Sequence, residues 1–127
     1  MAQEVVHLDT SFLIRALKPD SSESVSMARM LEEGICLGIS AIAWAEFLCG
    51  PLNNSQRQLS AQLLGEPESL LAEDARLAAT YFNQSGRRRG TLFDCMIAAT
   101  AVRIGAALAT SNPEDFRRFR GLQLRGE

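Results

Sequence analysis

The 127-residue sequence has few of the side chains on which many catalytic sites depend. Its single histidine, His7, excludes mechanisms that use two histidines as general acid and base. The three cysteines, Cys36, Cys49 and Cys95, are odd in number and widely spaced in apolar segments. This pattern argues against a disulfide scaffold or a zinc site and predicts buried thiols in a reducing compartment.

Signals for membranes and export are also missing from the sequence. No apolar run reaches the roughly 18 residues that a transmembrane helix needs. The N-terminal segment contains Glu4 and lacks the basic stretch that opens a signal peptide. We therefore expect a cytoplasmic protein without a membrane anchor.

Neither sign of charge dominates, because 13 basic residues face 15 acidic ones and the net charge is −2. This balance excludes a histone-like binder and a disordered acidic tail. The distribution is uneven: residues 1–85 carry 5 basic and 11 acidic side chains, and residues 86–127 carry 8 and 4. A surface for a polyanion should lie in the last third, where Arg87, Arg88 and Arg89 are candidate RNA-binding residues.

Hydrophobic patterns predict strands that alternate with helices along the chain. The predicted strands are residues 5–8, 35–39, 69–72, 106–110 and 122–124. With 46% hydrophobic residues, the chain can bury one sizeable core. We therefore predict one α/β domain over residues 1–127, in which helices cover both faces of a parallel sheet.

Three carboxylates stand alone in otherwise apolar segments of the chain. Asp9 follows the first strand, Glu46 lies in the helix after the second, and Asp94 opens a nearly uncharged helix. Burial of a carboxylate costs several kcal/mol unless it is paired or bound to a metal. No Arg or Lys lies nearby in sequence, so a common function explains all three better than separate accidents.

Each carboxylate taken alone also has a structural explanation. Asp9 could cap the helix that follows it, and the dipole of its helix could stabilise Asp94. Glu46 could lie at a solvent-facing helix edge. These alternatives stay open for the individual residues.

Asn112 and Asp115 add further polar groups after the strand at residues 106–110, and they should meet the same sheet edge. Convergent Asp and Glu oxygens without His or Cys favour Mg²⁺ or Mn²⁺. Such a metal commonly assists attack on a phosphate ester. The residues therefore predict metal-dependent hydrolysis of a phosphoester.

Four motifs resemble those of the PIN-domain nucleases, and specifically the VapC-type toxins of prokaryotic toxin–antitoxin pairs. They are an Asp-Thr-Ser-aliphatic run, a Ser followed by a helical Glu before Gly, an Asp opening an Ala-rich helix, and Thr-x-Asn-x-x-Asp-Phe. In this sequence they occupy Leu8 to Ile14, Ser40 to Gly50, Phe93 to Ala101 and Thr110 to Phe116. The resemblance therefore covers nearly the whole chain.

The resemblance implies an α/β/α sandwich with a mainly parallel sheet and an endoribonuclease that depends on Mg²⁺ or Mn²⁺. By this similarity, the catalytic acids are Asp9, Glu46, Asp94 and Asp115. Asp9, Asp94 and Glu46 would hold the metal.

Three further residues, Ser11, Thr110 and Asn112, would support the site by the same resemblance. Ser11 stands where Asn is common in the family, and its hydroxyl could orient Asp9 or a metal-bound water. Asn112 stands where many members have an acid. Either Asn112 or Asp115 could therefore supply the fourth function.

The resemblance also implies three partners: an RNA substrate, a cognate antitoxin and a second copy in a homodimer. Apolar residues in the first two helices exceed what one core face needs, so we expect part of them to form a groove for an antitoxin segment. These residues are Phe12, Leu13, Leu17, Met27, Met30 and Leu31.

The predicted function is that of a toxin endoribonuclease that cleaves RNA phosphodiesters with a metal-activated water. Two alternatives stay open: a PIN-like nuclease of RNA processing, and a catalytically silent PIN-like binding module. A haloacid-dehalogenase-like phosphatase is excluded, because it needs a second Asp at the position of Ser11.

Overall fold

A three-stranded parallel sheet organises the chain, of which the computed structural model describes residues 3–125. Its strands are β1 (Val5–Leu8), β2 (Cys36–Gly38) and β3 (Ala107–Ala109). Their order is β2-β1-β3, so β1 is central and has a parallel partner on each side. Polar residues that follow β1 and β3 are thereby brought to one edge of the sheet.

Six α-helices join these strands within residues 3–125. They are α1 (Thr10–Ala16), α2 (Ser22–Glu32), α3 (Ala41–Leu48), α4 (Asn54–Leu64), α5 (Ala72–Gln84) and α6 (Leu92–Ile104). A short 3₁₀ turn at Pro113–Asp115 follows β3. This architecture confirms the predicted α/β class with a parallel central sheet. The predicted domain bounds, 1 and 127, lie outside the described residues.

Short polar side chains start four of the helices. Asp9, Ser21, Ser40 and Asn53 each accept a hydrogen bond from the backbone N–H three residues further on. Such N-caps satisfy donors that the helix itself leaves unpaired. Two of these caps, Asp9 and Ser40, come soon after β1 and β2, so each chain reversal at the sheet edge ends in a fixed polar residue.

The core explains why α6 contains so little charge. Ile97, Ala98, Ala99 and Ala101 of this helix are all buried, and Thr100 between them is buried too. A helix that is covered on most sides has no room for charged side chains. The packing of these side chains fixes the position of the whole helix. Asp94, in the first turn of α6, is thereby fixed too.

Two of the predicted strands are wrong. Residues 69–72 form no strand, because the Asp74 carboxylate accepts the Leu71 N–H at 2.9 Å and starts α5 at Ala72. Only an isolated bridge, between Glu68 and Ser40, occurs next to this segment. Residues 122–124 are reduced to a bridge between Leu124 and Leu108.

The cysteines are only partly buried, contrary to prediction. Cys95 lies in the core, whereas Cys36 and Cys49 are exposed thiols. Cys36 belongs to β2, a strand at the edge of the sheet, and Cys49 caps the C-terminus of α3. Neither position is enclosed by a second layer.

Most of the residues predicted to form a groove on the first two helices belong to the core. Phe12, Leu13 and Met30 are buried in the core, and Leu17 and Met27 pack against it. Only Leu31 is exposed. The apparent excess of apolar residues is used by the packing of α1 on α2 and on the sheet.

Within residues 3–125, no helix is both long and apolar enough to cross a membrane.

Candidate active site

A pocket of about 270 Å³ opens beyond the carboxyl ends of β1 and β3. It joins four separate segments of the chain. The lining residues are Asp9, Thr10, Ser11, Ile14, Glu46, Asp94, Ile97, Asn112, Asp115 and Phe116. All four acids that the sequence suggested therefore face one pocket, together with Ser11 and Asn112.

Asp9 is the most firmly held of the four acids. Its side chain is 4% exposed, and its Oδ1 accepts hydrogen bonds from the Phe12 N–H at 2.8 Å and the Ser11 hydroxyl at 2.9 Å. The Thr110 hydroxyl donates to Oδ2. Asp9 is thus both the cap of α1 and a wall of the pocket, so its capping role does not remove it from the candidate site.

The loop after β3 is fastened at two points. The Thr110 hydroxyl oxygen accepts the backbone N–H of Asn112 at 3.0 Å while it donates to Asp9. The Ser111 hydroxyl donates to the Glu23 carboxylate on α2 at 2.8 Å, and this bond is the main reason why the pKa of Glu23 is lowered. These contacts fix the segment that carries Asn112 and Asp115.

Glu46 is oriented by Thr10, a residue that the sequence analysis did not single out. The Thr10 hydroxyl lies 2.9 Å from Oε1 of Glu46 and 3.2 Å from the carbonyl oxygen of Ala43. Glu46 is half-buried on α3 and lines the pocket, so it does not lie at an open helix edge. Glu46 lies close to Thr10 because α3 packs against α1. A local sequence pattern does not reveal this packing.

The pKa of Asp94 is raised by its burial and by the other acids of the pocket. Burial is the largest cause that raises its pKa to about 6, and the carboxylates of Asp115, Glu46 and Asp9 contribute to the same rise in that order. Burial also raises the pKa of Asp9, against the effect of its three hydrogen bonds. The acids are close enough to repel one another, which is the condition that a bound cation relieves.

One cation opposes this repulsion. Arg118 lies near enough to Asp94 to lower the pKa of that carboxyl. Its Nε donates to the Ser85 hydroxyl at 3.0 Å, and its guanidinium stands 4.6 Å from the centre of the Phe119 ring. Arg118 is far from Asp94 in the sequence, so the residues that flank Asp94 do not reveal this contact.

The donor set of the pocket suits a hard divalent cation. Its lining contains four carboxylates and neither His nor Cys. Within residues 3–125, no three such side chains form a preassembled metal cage. Mg²⁺ typically binds through one or two carboxylates and keeps several waters, so it needs no complete cage. Asp9, Asp94 and Glu46 could hold such an ion partly through water.

The three arginines proposed for RNA do not line the pocket. Arg87, Arg88 and Arg89 lie on an exposed loop between α5 and α6. This loop leads through Thr91 into the first turn of α6, which carries Asp94. The basic segment is therefore beside the acidic pocket in the chain, and it forms a separate surface.

The fold and this acidic sheet edge are those of a known class of domain. The family model of the PIN domain matches residues 6–122. The chain belongs to the PIN domain family, which confirms the resemblance of its four motifs.

Similar proteins cover nearly the full length of the chain. Ribonuclease VapC19 of Mycobacterium tuberculosis is 29% identical over 121 residues, which are 91% of this chain and 95% of that protein. The crystal structure of VapBC2 from Rickettsia felis, bound to a DNA fragment from their promoter, superposes with a TM-score of 0.76 and 23% identity, covering 94% of this chain and 96% of that chain. The M. tuberculosis toxin VapC20, which cleaves the sarcin-ricin loop, gives a TM-score of 0.58 and 16% identity, covering 83% and 86%. These structures share the fold of the chain.

Proposed function

We propose that the protein is a metal-dependent endoribonuclease and the toxin of a toxin–antitoxin pair. One observation carries this proposal: Asp9, Glu46, Asp94 and Asp115 come from four segments of the chain and line one pocket. Four acids without a histidine or cysteine suit metal-assisted attack on a phosphodiester. The similarity to a ribonuclease, VapC19, supports RNA as the substrate.

The side chains divide the work according to how they are held. Asp9, fixed by three hydrogen bonds, and Asp94 would hold Mg²⁺ or Mn²⁺, and Thr10 orients the Glu46 carboxylate, which would bind the ion or its water. A bound ion of this kind would supply an acidified water and positive charge to offset that of the reacting phosphate. Asp115 is exposed at the rim of the pocket, where it fills the fourth position better than the neutral amide of Asn112. In-line attack of water on the RNA phosphodiester would leave a 5′-phosphate and a 3′-hydroxyl.

An apolar groove next to the pocket is the proposed site of an antitoxin segment. Its volume is about 200 Å³, and Ile14 lines both the groove and the acidic pocket. The other lining residues are Leu17, Lys18, Phe47, Gly50, Pro51, Leu52 and Gln56. An amphipathic helix with apolar anchors suits such a groove. The structures of VapBC complexes, which share this fold, support a protein partner of this kind. We propose the homodimer and the cytoplasmic location from the family resemblance alone.

The proposal is tested by incubating the purified protein with total cellular RNA in Mn²⁺, in Mg²⁺ and in excess chelator. Discrete cleavage products are expected only with metal, and Asp94→Asn should produce none. RNA that is bound and never cut would identify a silent binding module. Cleavage by a protein whose expression does not slow growth, and whose gene has no small partner gene beside it, would instead favour an RNA-processing nuclease.

A further inference from the structure

An aromatic side chain is exposed immediately beside the acidic pocket. Phe93 is 52% exposed, although the residue that follows it, Asp94, lines the pocket. Its neighbour Leu92 is 43% exposed. Large apolar side chains that face solvent next to a catalytic residue need a reason, because the core does not use them.

The loop that precedes Phe93 in the chain carries positive charge. Arg87, Arg88 and Arg89 are all exposed, and none forms an ion pair with a residue in the described range 3–125. Residues 86–93 contain no acid. The segment therefore offers three cations whose charge no neighbour neutralises.

This loop has a defined shape. Gly86 and Arg87 both adopt left-handed backbone conformations, with φ of 79° and 56°. The Thr91 hydroxyl donates to the carbonyl oxygen of Arg88 at 2.6 Å, and the Thr91 N–H donates to the same oxygen at 3.3 Å. These two bonds close a turn over residues 88–91, so the arginine loop leads directly into the first turn of α6, where Phe93 is exposed.

We propose that Phe93 is a stacking platform for one unpaired base of the RNA, and that Arg87, Arg88 and Arg89 contact phosphates beside that base. The inference rests on the proposed function for the identity of the polyanion. Aromatic rings stack on splayed bases, and arginines pair with phosphate, in proteins that bind single-stranded RNA. A base inside an A-form duplex presents no free face to such a ring. The preferred substrate is therefore a single-stranded or looped segment.

A second copy of the chain fits this surface poorly. In a two-fold dimer the same patch meets itself, which would bring six arginines together with no acid from residues 86–93 between them. A stable protein interface also buries roughly 800 Å² on each partner, far more than two exposed side chains supply. The charge and the small apolar area both favour RNA.

Binding measured without cleavage tests the inference separately from the proposed function. The probes are a fluorescein-labelled 12-nucleotide RNA single strand of mixed sequence and the blunt duplex of that sequence, both titrated with protein in EDTA. Phe93→Ala should weaken single-strand binding by about fivefold or more. Phe93→Trp should retain it, and neither change should alter duplex binding.

Leu92→Ala is the matched control, because it removes a similarly exposed apolar side chain from the adjacent position. It should leave both affinities unchanged. Changing Arg87, Arg88 and Arg89 together to Gln should weaken both probes and flatten the dependence of affinity on salt. Circular dichroism and gel filtration establish that each variant keeps its fold and oligomeric state.

Three results would overturn the inference: no measurable binding of the single strand by the wild type, equal effects of Phe93→Ala and Leu92→Ala, or a loss of oligomeric state in Phe93→Ala. The last would identify a second copy as the occupant of the patch. If Phe93 governs binding in EDTA but the protein never cleaves RNA in Mn²⁺, the proposed function fails while the stacking platform stands.

Discussion

The hydroxyl of Thr110 donates a hydrogen bond to Oδ2 of Asp9, across 101 positions of sequence. The loop after β3 thereby sets the orientation of the carboxylate that follows β1. Since Oδ1 of Asp9 is already occupied by the Phe12 N–H and the Ser11 hydroxyl, Thr110 completes the restraint on this side chain.

Thr110→Val should uncouple the loop from Asp9. A hydrogen bond to a charged group contributes about 2 kcal/mol, so the free energy of unfolding should fall by about that amount. RNA cleavage should fall by about 10- to 100-fold, as is typical when a residue that orients a metal ligand is lost. Urea unfolding and initial cleavage rates measure the two effects. Thr110→Ser keeps the hydroxyl and serves as the control; if it loses as much activity as Thr110→Val, the hydrogen bond is not the cause.

Thr10→Val tests whether Glu46 depends on its orienting hydroxyl. The substitution preserves shape and removes the donor that lies 2.9 Å from Oε1 of Glu46. We expect about a tenfold loss of cleavage at saturating RNA, with a higher concentration of Mn²⁺ needed for half-maximal rate. Thr10→Ser should behave like the wild type. Unchanged metal dependence in Thr10→Val would assign Glu46 a role away from the ion.

Asp94 should make the metal-free protein less stable as the pH rises. Its folded-state pKa of about 6 lies above the ordinary aspartate value of 3.8, so the folded protein holds this proton more tightly than the unfolded chain. The contribution of Asp94 to stability is full below pH 4 and is lost between about pH 4 and 6. In chelator at pH 7, Asp94→Asn should therefore melt a few degrees above the wild type.

The same variant gives two internal controls. At pH 4 the melting temperatures of Asp94→Asn and the wild type should converge, because the wild-type carboxyl is then largely protonated. Added Mg²⁺ or Mn²⁺ should raise the melting temperature of the wild type more than that of the variant, because the ion binds only the folded state. A variant that melts below the wild type at pH 7 would mean that Asp94 stabilises the fold through a partner.

Arg103 should matter for stability and leave catalysis intact. It bonds the Asp74 carboxylate at 2.8 Å, and that carboxylate is only 1% exposed. Arg103→Met would leave the buried Asp74 carboxylate without its cation and with the Leu71 N–H as its remaining donor, so the free energy of unfolding measured in urea should fall. The double variant with Asp74→Asn should lose less than Arg103→Met alone, and both should cleave RNA at the wild-type rate below their melting temperatures. Additive losses would show that the pair is not coupled.

The sequence predicted which acids lie together, because each of them contrasts with its apolar surroundings. Asp9 and Glu46 come after predicted strands whose carboxyl ends a parallel sheet brings to one edge, and Asp94 is the lone charge at the start of an apolar helix. Thr10 and Arg118 carried no such mark. The role of Thr10 depends on how α1 packs on α3, and Arg118 approaches Asp94 from 24 residues further along the chain.

The buried groove residues and the two missing strands have a related cause. The number of apolar residues on α1 and α2 shows that these helices have apolar faces, but it does not show what covers those faces. Phe12, Leu13 and Met30 belong to the core. Likewise, residues 69–72 have a strand-like composition, but the Asp74 side chain claims the Leu71 N–H and starts a helix there. In both places a long-range or capping contact decided the outcome.

The bridge between Leu124 and Leu108 also covers one edge of the sheet. The backbone N–H of Leu108 donates to the carbonyl of Gln123 at 2.9 Å, and the Arg125 N–H donates to the carbonyl of Leu108 at 2.8 Å. The returning segment thus occupies the hydrogen-bonding groups on the outer side of β3, where an open edge would invite another chain to add a strand. A chain shortened before Leu122 would uncover this edge, and fibrillar self-association would then compete with folding.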